Sequence, residues 1–332
     1  MNIPLSEKQR QSSNKIRRPE GLQENVPLNA NLWFQTGGTA RWYGEPTSGH
    51  EWQALISWAR ELGLSVDVIG EGSNLLLSDE GVAGLVIRPR CEAIWLTELS
   101  PEQTLLSVEA GASLDGTISR CLDKNLLGLE EFSGIPGTIG GAAFINVHYF
   151  QYLLSHFLVS ATVIHALTGE LQTVDHHWFN FGYNQTTLHE RTHYLVDATF
   201  VLKKVDDRTA AHAQGRRAEI IRHRRQRYPY QRTCGSFFRN FLPHEVNVMS
   251  NGKKMTHVAY YMDQLGLKGT LSVGGASVSY QHANMIVTEA GATSSDVINL
   301  ARLMQQKVHE AFGIMPQPEC QFLGFSSYPL MR

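Results

Sequence analysis

The stretch Gly134-Ile135-Pro136-Gly137-Thr138-Ile139-Gly140-Gly141-Ala142 constrains this chain more than any other. Four of its nine residues are glycine and one is proline. Such a run turns sharply and presents its amide N–H groups with no side chains in the way. That is the equipment for holding a phosphate or pyrophosphate against backbone. The same composition would also serve a tight buried connection between strands. A second glycine loop, Gly70-Glu71-Gly72-Ser73-Asn74, lies between the apolar runs 66–69 and 75–77 and reads as strand, loop, strand. It begins like a dinucleotide fingerprint. Its third glycine is missing and no helical pattern follows, which argues against a nicotinamide-type Rossmann site. Two phosphate-holding loops in one strand-rich scaffold point to a dinucleotide, with FAD the natural candidate.

Around these loops the periodicity is regular. Trp52, Leu55, Ile56, Ala59 and Leu62 recur at helical spacing, Ser48 and Glu51 make a capping box, and Gly63 ends the helix. Residues 105–109 alternate as a strand, and Ser113 caps a helix carrying Leu114, Ile118, Cys121 and Leu122. Residues 159–164 and 171–174 flank a Thr168-Gly169 turn as a hairpin, and 195–202 is a further strand. From Arg208 the chain turns basic and helical. Arg216, Arg217, Arg222, Arg224, Arg225, Arg227, Arg232 and Arg239 face only Glu219 nearby in sequence. Arginine suits phosphate and carboxylate, so the segment is either an anion patch or a solvated helix face. Further helices are expected over 255–265, stopped by Gly266, and over 297–308, starting behind Ser294 and Ser295 and ending near Gly313, with a strand at 285–287 between them.

Composition narrows the class. With 332 residues the chain is long enough for two or three domains. At 42% hydrophobic and 18% charged residues it reads as an ordinary soluble protein. A formal charge of -2 argues against a nucleic-acid or membrane-surface binder, and no apolar run approaches the roughly 18–20 residues of a membrane span. Cys91, Cys121, Cys234 and Cys320 are scattered without zinc-like spacing, which fits reduced thiols in the cytoplasm. The fourteen histidines form no HxxxH or HExxH pattern, and His176-His177 reads as a solvated turn, so no metal is expected.

Several short stretches, taken together and in order, resemble one family, the UDP-N-acetylenolpyruvoylglucosamine reductases. They are Asn25-Val26-Pro27-Leu28, Gly37-Gly38 with Ala40, the two glycine loops with Leu75, Asn146, and Phe181-Gly182-Tyr183. Cys234-Gly235-Ser236-Phe237-Phe238-Arg239-Asn240, Gly266-Leu267-Lys268-Gly269, Gly274-Gly275-Ala276, His282-Ala283-Asn284 and Glu319 follow. The resemblance implies an α+β protein. A vanillyl-alcohol-oxidase-like, two-subdomain FAD-binding unit would span 25–90 and 91–206, after a loose lead-in over 1–24. A C-terminal α+β substrate-binding domain would span 207–332. The short interval between Tyr183 and Arg224 resembles the form of the family without an extra tyrosine-bearing loop.

The resemblance also implies chemistry. NADPH reduces the flavin and leaves, and the enolpyruvyl sugar nucleotide then takes the same place. It is reduced to UDP-N-acetylmuramate for peptidoglycan, by a cytoplasmic monomer with no nucleic-acid or membrane partner. FAD would be held by Gly70, Glu71, Gly72, Ser73, Asn74, Leu75, Gly134, Ile135, Pro136, Gly137, Thr138, Gly140 and Gly141. Ser236 matches the proton donor and Glu319 the acidic catalytic group. Tyr183, Arg227, Arg239, Asn240 and His282 match the substrate side. Where the family has arginine after the tyrosine of Phe-Gly-Tyr, this chain has Asn184, the third catalytic position. Losing an oxyanion-type donor costs about 10²–10³ in rate. After Asn146 the family's Ala-Gly-Ala-Tyr-Gly gives way to Val147-His148-Tyr149-Phe150-Gln151, and its substrate-binding lysine to Arg227. An arginine of the basic segment, Arg239 or Arg227, is the expected replacement for the missing charge. Two alternatives stay open: a flavin-dependent oxidoreductase acting on another small anion, and a flavin-binding relative without catalysis.

Overall fold

The computed structural model describes residues 17–250 and 252–332. Most of the expected lead-in, residues 1–16, lies outside the described residues, and Gln23–Pro27 already forms a strand. Contacts group the chain into two interleaved units. The first comprises residues 1–26, 40–71 and 83–224, and the second 27–39, 72–82 and 225–332. The expected boundaries at 90 and 206 mark neither division. Two short segments before residue 83 belong with the C-terminal unit, and the basic helix belongs with the first unit as far as Arg224.

In the first unit, helix α1 (Gly49–Glu61) lays Trp52, Leu55, Ile56 and Ala59 on a core with Trp42, Trp58, Leu85 and Ile87. The Trp42 and Trp58 rings meet edge to face at 5.0 Å. Only half of the expected capping box forms. Ser48 accepts from the Glu51 amide, while the Glu51 carboxylate turns outward to the Thr47 amide at 2.7 Å. A four-stranded sheet runs in the order Gln23–Pro27, Thr39–Gly44, Val82–Ile87, Val66–Val68, the last two parallel.

A six-stranded antiparallel sheet forms the other layer. Its order is Leu171–Asp175, Leu158–His165, His193–Lys204, Gln103–Glu109, Ile94–Ser100, with Leu126–Leu127 beside His193–Lys204. The expected hairpin is present, pairing Ala161 with Val174. Helices α2 (Leu114–Leu122) and α3 (Ile139–Phe144) cover this sheet through Leu114, Ile118, Ile139 and Ala143. Helix α4 (Asp207–Arg227) follows.

In the second unit, helices α5 (Val258–Gln264) and α6 (Ser294–Phe312) share a core with a three-stranded antiparallel sheet, Ser272–Val273, Ala276–Val278 and Ile286–Thr288. Helix α5 starts three residues later than the periodicity suggests. Met255 donates its amide to the Val248 carbonyl, and Asn240 Oδ1 takes the Val258 amide at 3.3 Å, so the helix begins there. Helix α6 is closed by a Thr293–Asp296 capping box and by Asp79, which accepts from the Ser294 and Ser295 amides at 2.7 and 2.8 Å. Gly274 has a φ of +53°, and a Cβ there would meet Asp296 Oδ1 at 2.1 Å, so glycine is required for the helix cap to close on this turn. Leu75–Leu77 pairs in parallel with Gln321–Leu323. No described helix is long and apolar enough to cross a membrane.

Candidate active site

The first unit brings two of the predicted loops together. Gly70 abuts Thr138: a Cβ on Gly70 would lie 2.6 Å from Thr138 Oγ1. The glycine-rich stretch is a tight, partly buried connection. Leu114 N–H donates to the Gly137 carbonyl, Ile139 N–H to Ala112 and Gly140 N–H to Ala110, which ties the stretch into the fold. From Ile139 it is helical, with Thr138 as N-cap accepting from the Gly141 amide at 3.2 Å. Among the described residues no hydrogen bond engages the amides of Gly70, Glu71, Gly137 or Thr138. Amides without partners on two loops that touch at Gly70 and Thr138 fit a phosphate-bearing cofactor such as FAD. Gly72, Ser73, Asn74 and Leu75 belong to the second unit. There Asn74 Nδ2 donates to the Glu319 carbonyl at 3.2 Å and Leu75 pairs with Gln321.

Much of the basic helix is a solvated face, with Arg216, Arg222, Arg225 and Arg227 exposed. Two of its arginines also meet carboxylates remote in sequence, which reading neighbours along the chain could not reveal. Arg216 holds Glu131 at 3.0 Å and Arg217 holds Asp115 at 2.7 Å. The other oxygen of Asp115 accepts from the Gly134 amide at 2.9 Å, and Arg224 Nε donates to the Gly134 carbonyl at 3.1 Å. Helix α4 thus fixes the entry to the glycine-rich stretch from both sides of one residue.

Tyr183 and Asn184 form the tip of a tight turn in the first unit, closed by reciprocal backbone bonds between Gly182 and Gln185. Asn146, buried and with φ 47°, holds it from behind: its Nδ2 donates to the Gly182 carbonyl at 3.1 Å and its Oδ1 accepts from the Ser155 amide at 3.0 Å. Asn184 adopts φ 52°, a left-handed conformation that asparagine tolerates. Its Oδ1 and Nδ2 are both buried and have no hydrogen-bond partner. Such a group costs about 1–3 kcal/mol when left unpaired. The His148 ring lies 5.0 Å from the Tyr183 ring, and burial pushes its pKa below the usual histidine value.

The second unit brings together Ser236, His282 and Glu319. Residues 236–239 run between two segments, with Ser236 bridged to Met285 and Phe238 to Pro318. Phe237 donates its amide to the Asn284 carbonyl at 2.8 Å, and its own carbonyl accepts from the Glu319 amide at 2.9 Å. Asn284 clamps Phe238 twice, accepting from its amide at 3.1 Å and donating to its carbonyl at 2.7 Å. Neither Asn146 nor Asn284 was singled out as a site residue. Both stand in stretches that carry the family resemblance, and each is a polar amide inside an apolar run. His282 Nδ1 accepts from the Asn284 amide at 3.3 Å, and the Tyr228 ring stands edge-on to it at 5.4 Å. Burial first, then the Arg227 charge, pushes the His282 pKa down to about 4, with Asp263 opposing.

Arg239 and Asn240 have other partners. Arg239 grips Glu245 with both terminal nitrogens at 2.8 and 2.7 Å and holds that carboxyl below its usual range. Asn240 caps α5. In this conformation Arg239 is therefore engaged by Glu245, while Arg227, beside His282, keeps a place near predicted substrate residues. Cys234 and Cys320 are buried free thiols that interact with each other, and burial pushes the Cys234 pKa well up.

Residues 41–175 match the FAD binding domain family, and residues 226–323 match the family described as UDP-N-acetylenolpyruvoylglucosamine reductase, C-terminal domain. The UDP-N-acetylenolpyruvoylglucosamine reductase of Synechococcus sp. (strain WH7803) is 35% identical over 92% of this chain and 94% of its own length. That of Lactobacillus delbrueckii subsp. bulgaricus (strain ATCC BAA-365 / Lb-18) is 34% identical, covering 91% of this chain and 95% of its own. The crystal structure of UDP-N-acetylenolpyruvylglucosamine reductase from Thermus caldophilus superposes with a TM-score of 0.71 at 26% identity, over 90% of this chain and 97% of that one. With two family matches in order along the chain and relatives matched over nearly their whole length, the chain belongs to the UDP-N-acetylenolpyruvoylglucosamine reductase family.

Proposed function

We propose that this protein reduces UDP-N-acetylenolpyruvoylglucosamine to UDP-N-acetylmuramate, the peptidoglycan precursor, using FAD and NADPH. The observation that carries this reading is the pairing of the Ser236 segment with the Glu319 segment. It puts the two residues that match the family's acid groups on neighbouring backbone in one unit. FAD, when bound, supplies the hydride that NADPH provides and the vinyl carbon receives. Gly70, Glu71, Gly137 and Thr138 would hold its phosphates through backbone amides. Ser236 gives a proton to the carbon next to the substrate carboxylate, with Glu319 supporting the transfer. A serine hydroxyl is a weak acid, so the transfer depends on charge placed where the carboxylate becomes electron-rich. Asn184 donates a hydrogen bond to that carboxylate, and Arg227 binds the nucleotide portion. The protein works as a monomer in the cytoplasm on this soluble sugar nucleotide.

An anaerobic two-step assay tests the reading. NADPH should bleach the flavin, and UDP-N-acetylenolpyruvoylglucosamine should then restore its colour with one equivalent consumed. Bleaching without recovery would overturn the substrate assignment. It would favour a second reading, to which the partnerless carboxamide of Asn184 gives some weight: reduction of a different small anion by the same flavin scaffold.

A further inference from the structure

Asn184 keeps a donor and an acceptor out of solvent, and neither meets a partner in the chain. Glycine would adopt the same left-handed turn without burying any polar atom, so the turn alone does not account for the carboxamide. The His148 imidazole lies against the ring of Tyr183, the residue preceding Asn184, at 5.0 Å. His148 is held there from both sides of its own segment. The strand His148–Tyr149 pairs with Tyr152–Leu153, and Asn146 ties the preceding loop to Gly182. The fold therefore sets a half-buried imidazole against the ring of the residue that precedes a buried, unpaired carboxamide, all within the first unit.

Resting on the reading of the chain as a reductase of an enolpyruvyl carboxylate, we propose that Asn184 and His148 receive that carboxylate together. Asn184 Nδ2 donates a hydrogen bond, and His148, as imidazolium, carries the positive charge that no side chain at position 184 supplies. His148 thereby becomes a catalytic residue for the electron-rich stage of the reaction, and binding becomes coupled to a proton.

The surroundings leave His148 available for this. Tyr149 and Tyr152 flank it on its own hairpin and Tyr183 lies across from it. Arg224 sits over the Tyr149 ring at 5.9 Å and reaches Gly134. The short helix Glu130–Phe132 packs on the same strand, but Glu131 is held by Arg216, and Glu130 accepts from the Gly128 amide. No ion pair between His148 and a carboxylate occurs among the described residues. Burial pushes the imidazole's pKa below the usual histidine value, which favours the neutral form in the free protein. A carboxylate arriving beside it favours the charged form, so binding draws a proton from solution. The value of kcat/KM then falls as pH rises above the free-protein pKa, which lies below the usual histidine range.

The test uses the holoenzyme with UDP-N-acetylenolpyruvoylglucosamine as the probe. Binding is measured calorimetrically near pH 7 in buffers of different ionisation enthalpy, and kcat/KM is measured against pH. Wild type should take up close to one proton on binding. His148→Gln, with its flavin retained, should abolish that uptake, weaken binding about ten- to a hundredfold and remove the alkaline decline. Adding Asn184→Arg to His148→Gln should restore affinity without restoring the pH dependence. Wild type that binds with no proton uptake overturns the proposal without any variant, as does His148→Gln with unchanged uptake and affinity. Wild type that neither binds nor turns over the sugar nucleotide overturns the underlying reading, and this proposal with it.

Discussion

The segments around Ser236 and Asn184, to which the proposed chemistry is assigned, are supported in opposite ways. Ser236 lies on backbone clamped from both sides, by Asn284 and Met285 on one and by Pro318 and Glu319 on the other. Asn184 lies on a turn that is just as firmly held from behind, by Asn146, but its own carboxamide has no partner. A buried polar group that is satisfied stabilises the fold, whereas one that is not must be explained by what binds there. The difference teaches which side chain the fold itself accounts for. The Ser236 segment is woven into its unit by backbone and by Asn284, while the Asn184 turn keeps its frame through Asn146 whatever its tip carboxamide does.

The largest test of that contrast is Ser236→Ala. Removing a positioned proton donor should lower turnover about 10²- to 10⁴-fold, with little change in stability. A Tm shift comparable to a core mutation would show that Ser236 is structural. Asn284→Ala should do the reverse. Two buried hydrogen bonds to Phe238 are lost, for about 1–3 kcal/mol, and activity should fall only through displacement of Ser236, which chemical denaturation paired with kinetics separates. Gly70→Val probes the backbone-built cradle. Its side chain collides with Thr138, and strain of about 1–3 kcal/mol should show as a lower flavin-to-protein absorbance ratio in a folded protein.

The remaining two effects are smaller. His282 has a folded pKa of about 4 against an unfolded value of about 6.5. Its contribution is complete above the unfolded value and is lost as pH falls from there towards the folded one. The slope is on the order of 1 kcal/mol per pH unit within that window. His282→Gln should flatten this part of the stability profile, measured by denaturation across pH 4–7. Asn184→Gly should leave stability within about 1 kcal/mol of wild type, since it removes unpaired polar atoms while keeping the turn. A large loss on denaturation would mean that the carboxamide has a structural partner after all and would erase the contrast.

Much of this was legible beforehand for a local reason. Helix periodicity, the Ser48 and Ser113 caps and the hairpin at Thr168-Gly169 depend on neighbours within a few residues. So does the glycine content of the two loops. The solvated face of the basic segment is legible locally, but its ion pairs are not, because Glu131 and Asp115 are far away along the chain. Arg239 could be proposed as a spare cation only while Glu245, six residues on, was not known to fold back onto it. The half-formed capping box at Ser48 is a milder case, since Thr47 and Ser48 compete for Glu51 and sequence does not decide between them.

By itself the sequence determined the family and the cofactor class, because short motifs and their order survive in linear form. Tertiary structure alone decided that Gly70 meets Thr138, that Ser236 and Glu319 share neighbouring backbone, and that Asn184 is buried without a partner. Each of these joins residues remote along the chain, or depends on solvent being excluded by residues that are. Hydrogen-bond satisfaction and burial are properties of the packed chain, and no local pattern encodes them.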